Sequence, residues 1–181
     1  VKKLGLTKSY SINGIRTAKS TFDFSESNPA ALGWSGVGQG KDLVNPCSMM
    51  IYMGAIANGG RVVIPQVVES VRSSRNFPLS LYVPHLRQKL VSSETADILT
   101  EMMRNNVVNN YGEGNFAGLN ICAKSGTAEV GDGTSHAWFT GFLDDDAHPY
   151  AFIVLVENSG SGAKVAGPIA NKVLNAVIDN E

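Results

Sequence analysis

Lys124, Ser125, Gly126 and Thr127 occupy consecutive positions before Ala128, and residues of these types side by side can hold an anion. Lysine supplies positive charge, the two hydroxyls supply donors, and the backbone N–H groups of an extended segment complete the edge. In a strand, side chains alternate, so Lys124 and Gly126 face one way and Ser125 and Thr127 the other. Glycine removes the side chain that would keep a ligand's backbone at a distance. This suits a site that holds a carboxylate beside a carbonyl under attack. Four such residues also recur by chance in surface turns, so their meaning depends on the elements that position them.

Those elements are legible. Residues 121–130 form a strand candidate, and Gly131-Asp132-Gly133 is a tight-turn signal. Residues 136–143, rich in aromatic side chains, read as the next strand, and Asp144-Asp145-Asp146 makes a polar turn. Tyr150 to Val156 is a near-continuous apolar run, expected to be a central, buried strand. After a Gly/Ser-rich loop, Ala166, Ile169, Ala170, Val173, Leu174 and Val177 fall at helical spacing, with Pro168 suited to the first turn. Residues 119–181 thus read as three strands and a closing helix that covers one face of an antiparallel sheet.

Upstream, residues 45–110 read as a largely helical region. Asn45 can cap and Pro46 can start a helix whose inward face is Met49, Met50, Met53 and Ile56 or Ala57. Methionines at that spacing are core packing. Asn58-Gly59-Gly60 ends the helix, and residues 61–68, interrupted by Pro65, read as an edge or surface strand. Ser92 or Ser93 begins a second helix with Ala96, Leu99, Met102 or Met103 and Val107 inward, stopping within residues 105–110. Residues 111–115 then read as a mobile loop. Residues 1–44 are expected to be largely irregular, and residues 7–40 poorly ordered.

With these elements in place, the chain resembles the C-terminal half of a penicillin-binding protein transpeptidase domain. The resemblance rests on Lys124-Ser125-Gly126-Thr127-Ala128, then His136-x-Trp138-Phe139-x-Gly141-Phe142, an apolar strand and a closing helix. Gly38-Gln39-Gly40, Asn45-Pro46, the Met-rich helix, Ala57-Asn58-Gly59-Gly60 and Pro65 are similar to the segment that precedes the lysine motif in that family. It runs from about Gly36 to the C-terminus, and more loosely back to Lys2-Lys3-Leu4-Gly5. The Lys-Ser-Gly form and the lack of lipid-polymerase features lean toward the monofunctional, class B-like members. The implied fold is α/β of the α+β type: an antiparallel sheet flanked by helices, the C-terminal part of the fold shared with serine β-lactamases.

Family members attack with the serine of a Ser-x-x-Lys motif at a helix N-terminus, followed by Ser-x-Asn and then the lysine motif. The one Ser-x-x-Lys match here, Ser161-Gly162-Ala163-Lys164, lies after the lysine motif and reads as a flexible, solvated turn. A nucleophile needs a rigid setting and an adjacent base. Ser11-Ile12-Asn13 and Ser74-Arg75-Asn76 match Ser-x-Asn, but the first follows Lys3-Leu4-Gly5-Leu6, a stretch that comes after the Ser-x-Asn motif in the family, and the second lies in a polar loop before Pro78. The nucleophile, its lysine and the middle motif are therefore expected upstream of Val1.

The resemblance implies two-step acyl transfer. A serine attacks the penultimate D-alanine carbonyl of a peptidoglycan stem peptide, and an amine of a neighbouring stem then takes the acyl group. β-Lactams imitate the D-alanyl-D-alanine end and leave the serine acylated. Lys124 and Thr127 are the implied catalytic residues, and Ser125, Gly126 and Thr127 the substrate-binding ones. Lys124 balances proton and charge, the hydroxyls take the substrate carboxylate, and the Thr127 backbone N–H is an oxyanion donor. No cofactor or metal is expected. Implied partners are stem peptides, β-lactam antibiotics and other cell-wall synthesis proteins. The implied location is the outer face of a bacterial cytoplasmic membrane, reached through an N-terminal helix outside this chain. The isolated chain is expected to be inactive, and to dimerise through an exposed strand edge. Two alternatives are a non-catalytic or β-lactam-sensing module of the same fold, decided by the upstream serine, and a serine β-lactamase, decided by turnover of the antibiotic.

Composition narrows the field independently. At 181 residues, 43% hydrophobic and 17% charged, the chain can bury a sizeable core. A net charge of −1 argues against nucleic acid or anionic lipid as the main partner. No stretch approaches the roughly 20 apolar residues of a membrane span. Cys47 and Cys122 lack metal spacing. Cys122 reads as a small core hydrophobe, and a Cys47–Cys122 disulfide is permitted but not indicated. His136 reads as a structural or rim histidine.

Overall fold

In a computed structural model, the described residues are 2, 4–22, 29–81, 86–131 and 133–180. Lys3 and Asp132, each part of a motif above, lie outside them. Two short strands, β1 (Ser11–Ile12) and β2 (Ile15–Arg16), precede helix α1 (Pro29–Gly36) and helix α2 (Pro46–Ala57). Then come β3 (Arg61–Val63), β4 (Ser70–Arg72), β5 (Pro78–Leu81), β6 (Leu86–Lys89) and helix α3 (Ser93–Asn106). The chain closes with β7 (Ile121–Ala128), β8 (His136–Leu143), β9 (Ala151–Val156) and helix α4 (Gly167–Ile178).

β7, β8 and β9 form an antiparallel sheet in that spatial order. Ser125 stands opposite Phe139 and Gly126 opposite Trp138, with no slip along the pair. The strict alternation sends Ile121, Ala123, Ala137, Phe139 and Leu143 to one face, where Val107, Phe116, Ala170 and Leu174 cover them. Cys122 and Phe142 go to the other face and pack on Met53, Ile56 and Met103 of α2 and α3. The result is a sheet with helices on both faces. β8, not the apolar β9, is its centre. β9 lies at an edge and its six residues are half-buried, so its apolar run reflects coverage of its faces rather than a central position.

α2 begins as the sequence predicts. Asn45 accepts from the Ser48 N–H, Pro46 takes the first position, and Gly59 and Gly60 follow with φ of +57° and +84°. Any side chain at 60 would meet the Val91 carbonyl oxygen at 2.3 Å. α2 is buried on two sides. Met53 and Ile56 face the sheet, whereas Ile51 and Ala55 pack on Val62 and Leu90 of the small β3–β6 pair. Ile56, not Ala57, is the inward residue, and Ala57 is exposed. The Ser92 side chain caps α3 through the Thr95 N–H.

Two regions hold more regular structure than expected. Within residues 1–44, Asn13-Gly14 turns the β1–β2 hairpin with φ of +46° and +88°, the strongest short hairpin signal there is. Helix α1 starts at Pro29, and Thr21 pairs with Leu43 in an antiparallel bridge. Asn13 Oδ1 accepts from the Val67 and Val68 N–H groups, so the Ser11-Ile12-Asn13 match is a turn. Ser74-Arg75-Asn76 is likewise the turn between β4 and β5, with Asn76 at φ +63°. Residues 111–115, read as mobile, continue α3 through a wide turn (Val107–Gly112) and a tight one (Glu113–Phe116). Phe116 stacks on Phe139 at 5.5 Å.

Candidate active site

β7 is the other edge of the sheet, and its outward side is where Lys124 to Thr127 stand. The Ser125 N–H donates to Tyr111 Oη at 2.9 Å, which shows that Ser125 turns its backbone groups away from β8. By the two-residue period, Thr127 does the same. Thr127 C=O accepts from Gln39 Nε2 at 3.2 Å, and Lys124 Nζ donates to Ser125 C=O at 2.6 Å. The Thr127 N–H therefore points out of the sheet edge.

A groove of roughly 320 Å³ runs along this edge. Lys124, Ser125, Gly126 and Thr127 all line it, with Trp138 and Thr140 of β8, Met49 and Met53 of α2, and Val37 to Gln39. The four sequence-predicted residues are thus together, though on two faces. Lys124 and Gly126 share a face with Trp138 and Thr140. Thr127 Oγ1 faces the opposite side and accepts from the Gly162 N–H at 3.3 Å. A ligand reaches both groups by lying edge-on along β7. A Cβ at position 126 would stand 3.2 Å from Trp138 Cβ, so glycine there is set by the cross-strand indole as well as by access. Trp138 Nε1 is buried with no hydrogen-bond partner among the described residues, an unmet donor in the groove wall.

Ser161-Gly162-Ala163-Lys164, expected as a solvated turn, is instead packed across β7 and β8. Gly162 is buried in a wide helical turn (Gly162–Ala166), and its Cα lies so close that a Cβ would be 2.3 Å from the Gly126 and Trp138 carbonyl oxygens. The preceding loop is tied down by Ser135 C=O, which accepts from the Ser159 and Gly160 N–H groups. The turn therefore supports the lysine strand from behind. His136 Nδ1 accepts from the Asn158 N–H at 3.0 Å, a structural role at the strand's start.

Two site residues escaped the sequence reading. Tyr111 falls in the segment expected to be a mobile loop, yet its ring meets Phe139 edge-on at 5.4 Å while its hydroxyl holds β7. Gln39 stands out in the sequence only as the middle of Gly38-Gln39-Gly40. Nothing local marks either one, because both act across 14 and 88 residues of chain. The cysteines belong to separate packing clusters and are free, which removes the Cys47–Cys122 disulfide. Burial pushes the Cys122 thiol up to about 12, with the Asp144 charge adding to the shift and Arg104 opposing it.

The chain is also similar to known proteins along most of its length. Peptidoglycan D,D-transpeptidase PbpA of Mycobacterium tuberculosis is 32% identical over 161 residues, covering 84% of this chain and 33% of PbpA. Peptidoglycan D,D-transpeptidase MrdA of Haemophilus influenzae is 26% identical, covering 77% of this chain and 24% of MrdA. This chain thus spans about a third or less of the length of these relatives. The solved ceftriaxone acyl-enzyme complex of penicillin-binding protein A from M. tuberculosis superposes with a TM-score of 0.88 at 30% identity, covering 97% of this chain and 41% of that one. Residues 2–175 match the model of the penicillin-binding protein transpeptidase domain, and the chain belongs to that family.

Proposed function

We propose that these residues form the lysine-strand half of a peptidoglycan D,D-transpeptidase site, acylated by β-lactams. The observation that carries this reading is the outward Thr127 N–H on a free strand edge, beside Lys124 and above an apolar groove. A carbonyl under attack would place its developing oxyanion on that N–H, an interaction worth about 10²–10³ in turnover. The substrate carboxylate would meet Lys124 and the hydroxyls of Ser125 and Thr127. Thr127 Oγ1 can still donate its own hydrogen while it accepts from Gly162. Gly126 leaves the strand open to an extended donor.

The serine, its lysine and the Ser-x-Asn motif would come from residues before Val1, as would a membrane anchor placing the site on the outer face of the cytoplasmic membrane. Among the described residues no helix is long and apolar enough to cross a membrane. Stem peptides ending in D-alanyl-D-alanine, β-lactams and other cell-wall synthesis proteins are the proposed partners.

The test is acylation of the natural-length protein by penicillin G, followed by intact mass. A stable adduct that forms in the wild type and slows on the order of 10²–10³-fold in Lys124→Ala is expected. Near-normal acylation of that variant would refute the role of Lys124, and rapid release of hydrolysed antibiotic would indicate a β-lactamase instead.

A further inference from the structure

Of the four outward backbone groups on Ser125 and Thr127, three are met by side chains: Tyr111 on the Ser125 N–H, Lys124 on the Ser125 C=O and Gln39 on the Thr127 C=O. The Thr127 N–H alone has no partner among the described residues. An antiparallel strand joining an edge exchanges both hydrogen bonds of one residue with both of its opposite number. A peptide docking on β7 with a carbonyl on the Thr127 N–H must therefore bring the N–H of that same residue to the Thr127 C=O. That second seat is already occupied.

Resting on the proposed function, we infer that Gln39 is a specificity-determining residue that stands in for the donor's own amide. Its carboxamide fills the Thr127 C=O in the free protein and leaves when an acyl donor carries an N–H next to its reacting carbonyl. Donors without that N–H leave Gln39 in place. The loop fits this use. Gly38 and Gly40 flank Gln39 with φ of +78° and +85°, left-handed conformations that glycine adopts without strain and that set the turn presenting Gln39 to β7. The Gln39 N–H is held by Trp34 C=O at 2.9 Å, so the backbone stays anchored while the side chain swings. Gln39 is half-buried beside the groove, within reach of solvent once displaced.

Two antibiotics separate the cases. Penicillin G carries an acylamino N–H on the carbon beside its lactam carbonyl, and imipenem carries a hydroxyethyl group there. Acylation rate constants would be measured for the natural-length wild type, Gln39→Ala and Gln39→Glu, the last keeping the side chain's shape while losing its donor. In both variants the penicillin G to imipenem ratio is expected to rise about two- to tenfold, the equilibrium value of one exposed hydrogen bond. Equal changes with both antibiotics, or a fall with penicillin G, overturn the inference and make Gln39 a loop-packing residue. A wild type acylated by neither antibiotic overturns the proposed function along with it, whereas normal wild-type acylation with an unmoved ratio overturns this inference alone.

Discussion

Gly162→Ala is expected to slow acylation of the natural-length protein without unfolding it. The new Cβ would stand 2.3 Å from two backbone oxygens, one on β7 at Gly126 and one on β8 at Trp138. Ordinary contact is about 3.5 Å or more, so the turn and the strands must part by roughly 1 Å. Neither oxygen belongs to a side chain that can swing aside. The turn would retreat, taking the Gly162 N–H from Thr127 Oγ1, or β7 would shift and carry Lys124 and Thr127 with it. Overpacking of this kind costs about 1–3 kcal/mol, against a typical domain stability of about 5–15 kcal/mol. A misplacement of about 1 Å at a reacting centre costs on the order of 10² in rate. The assay pairs a urea unfolding curve with the second-order rate constant for penicillin G. Gly114→Ala is the control: nothing lies within 4 Å of its Cβ position and its φ is not left-handed, so stability should hold or rise slightly with acylation unchanged. A Gly162→Ala protein with the wild-type midpoint and a rate within about twofold of wild type would refute the idea that this turn supports the lysine strand.

Tyr111→Phe keeps the ring on Phe139 but removes the acceptor of the Ser125 N–H. It should cost about 0.5–1.5 kcal/mol in unfolding free energy and slow penicillin acylation, and unchanged values in both would place the hydroxyl outside the site. Cys122 should resist a thiol reagent at pH 8 in the folded protein and react after unfolding, since only the thiolate attacks. The folded Cys122 keeps its proton to about 12 while an ordinary thiol loses it near 9.0. Between those values the unfolded state binds fewer protons, so stability should be full below about pH 9 and fall as pH rises. Cys122→Ala should flatten that alkaline slope in urea titrations. The 181-residue chain by itself should dimerise, because β9 presents an unpaired edge and α4 exposes Ile169, Val173 and Val177 at 40%, 53% and 40%. A monomeric light-scattering mass at high concentration would count against it.

Local chemistry was enough for much of this molecule. The caps at Asn45 and Ser92, the glycines after α2, the period-2 alternation of β7 and β8 and the helical spacing of α4 act over a few residues, so the sequence displayed them directly. Alternation also foretold that Lys124 and Thr127 face opposite ways, and residue order linked the lysine motif to a known family. The Asn13-Gly14 turn is equally local, but few apolar residues surround it to mark the strands on either side. What the tertiary structure decided depends on distance along the chain. That β8 is central and β9 an edge follows from which strands pair, and no strand carries that information in its own composition. Tyr111 and Gln39 reach β7 from separate elements, and Gly162 is glycine because two strands happen to pass beneath it. Each of these is a contact between segments whose residues look ordinary until the fold brings their backbone groups together.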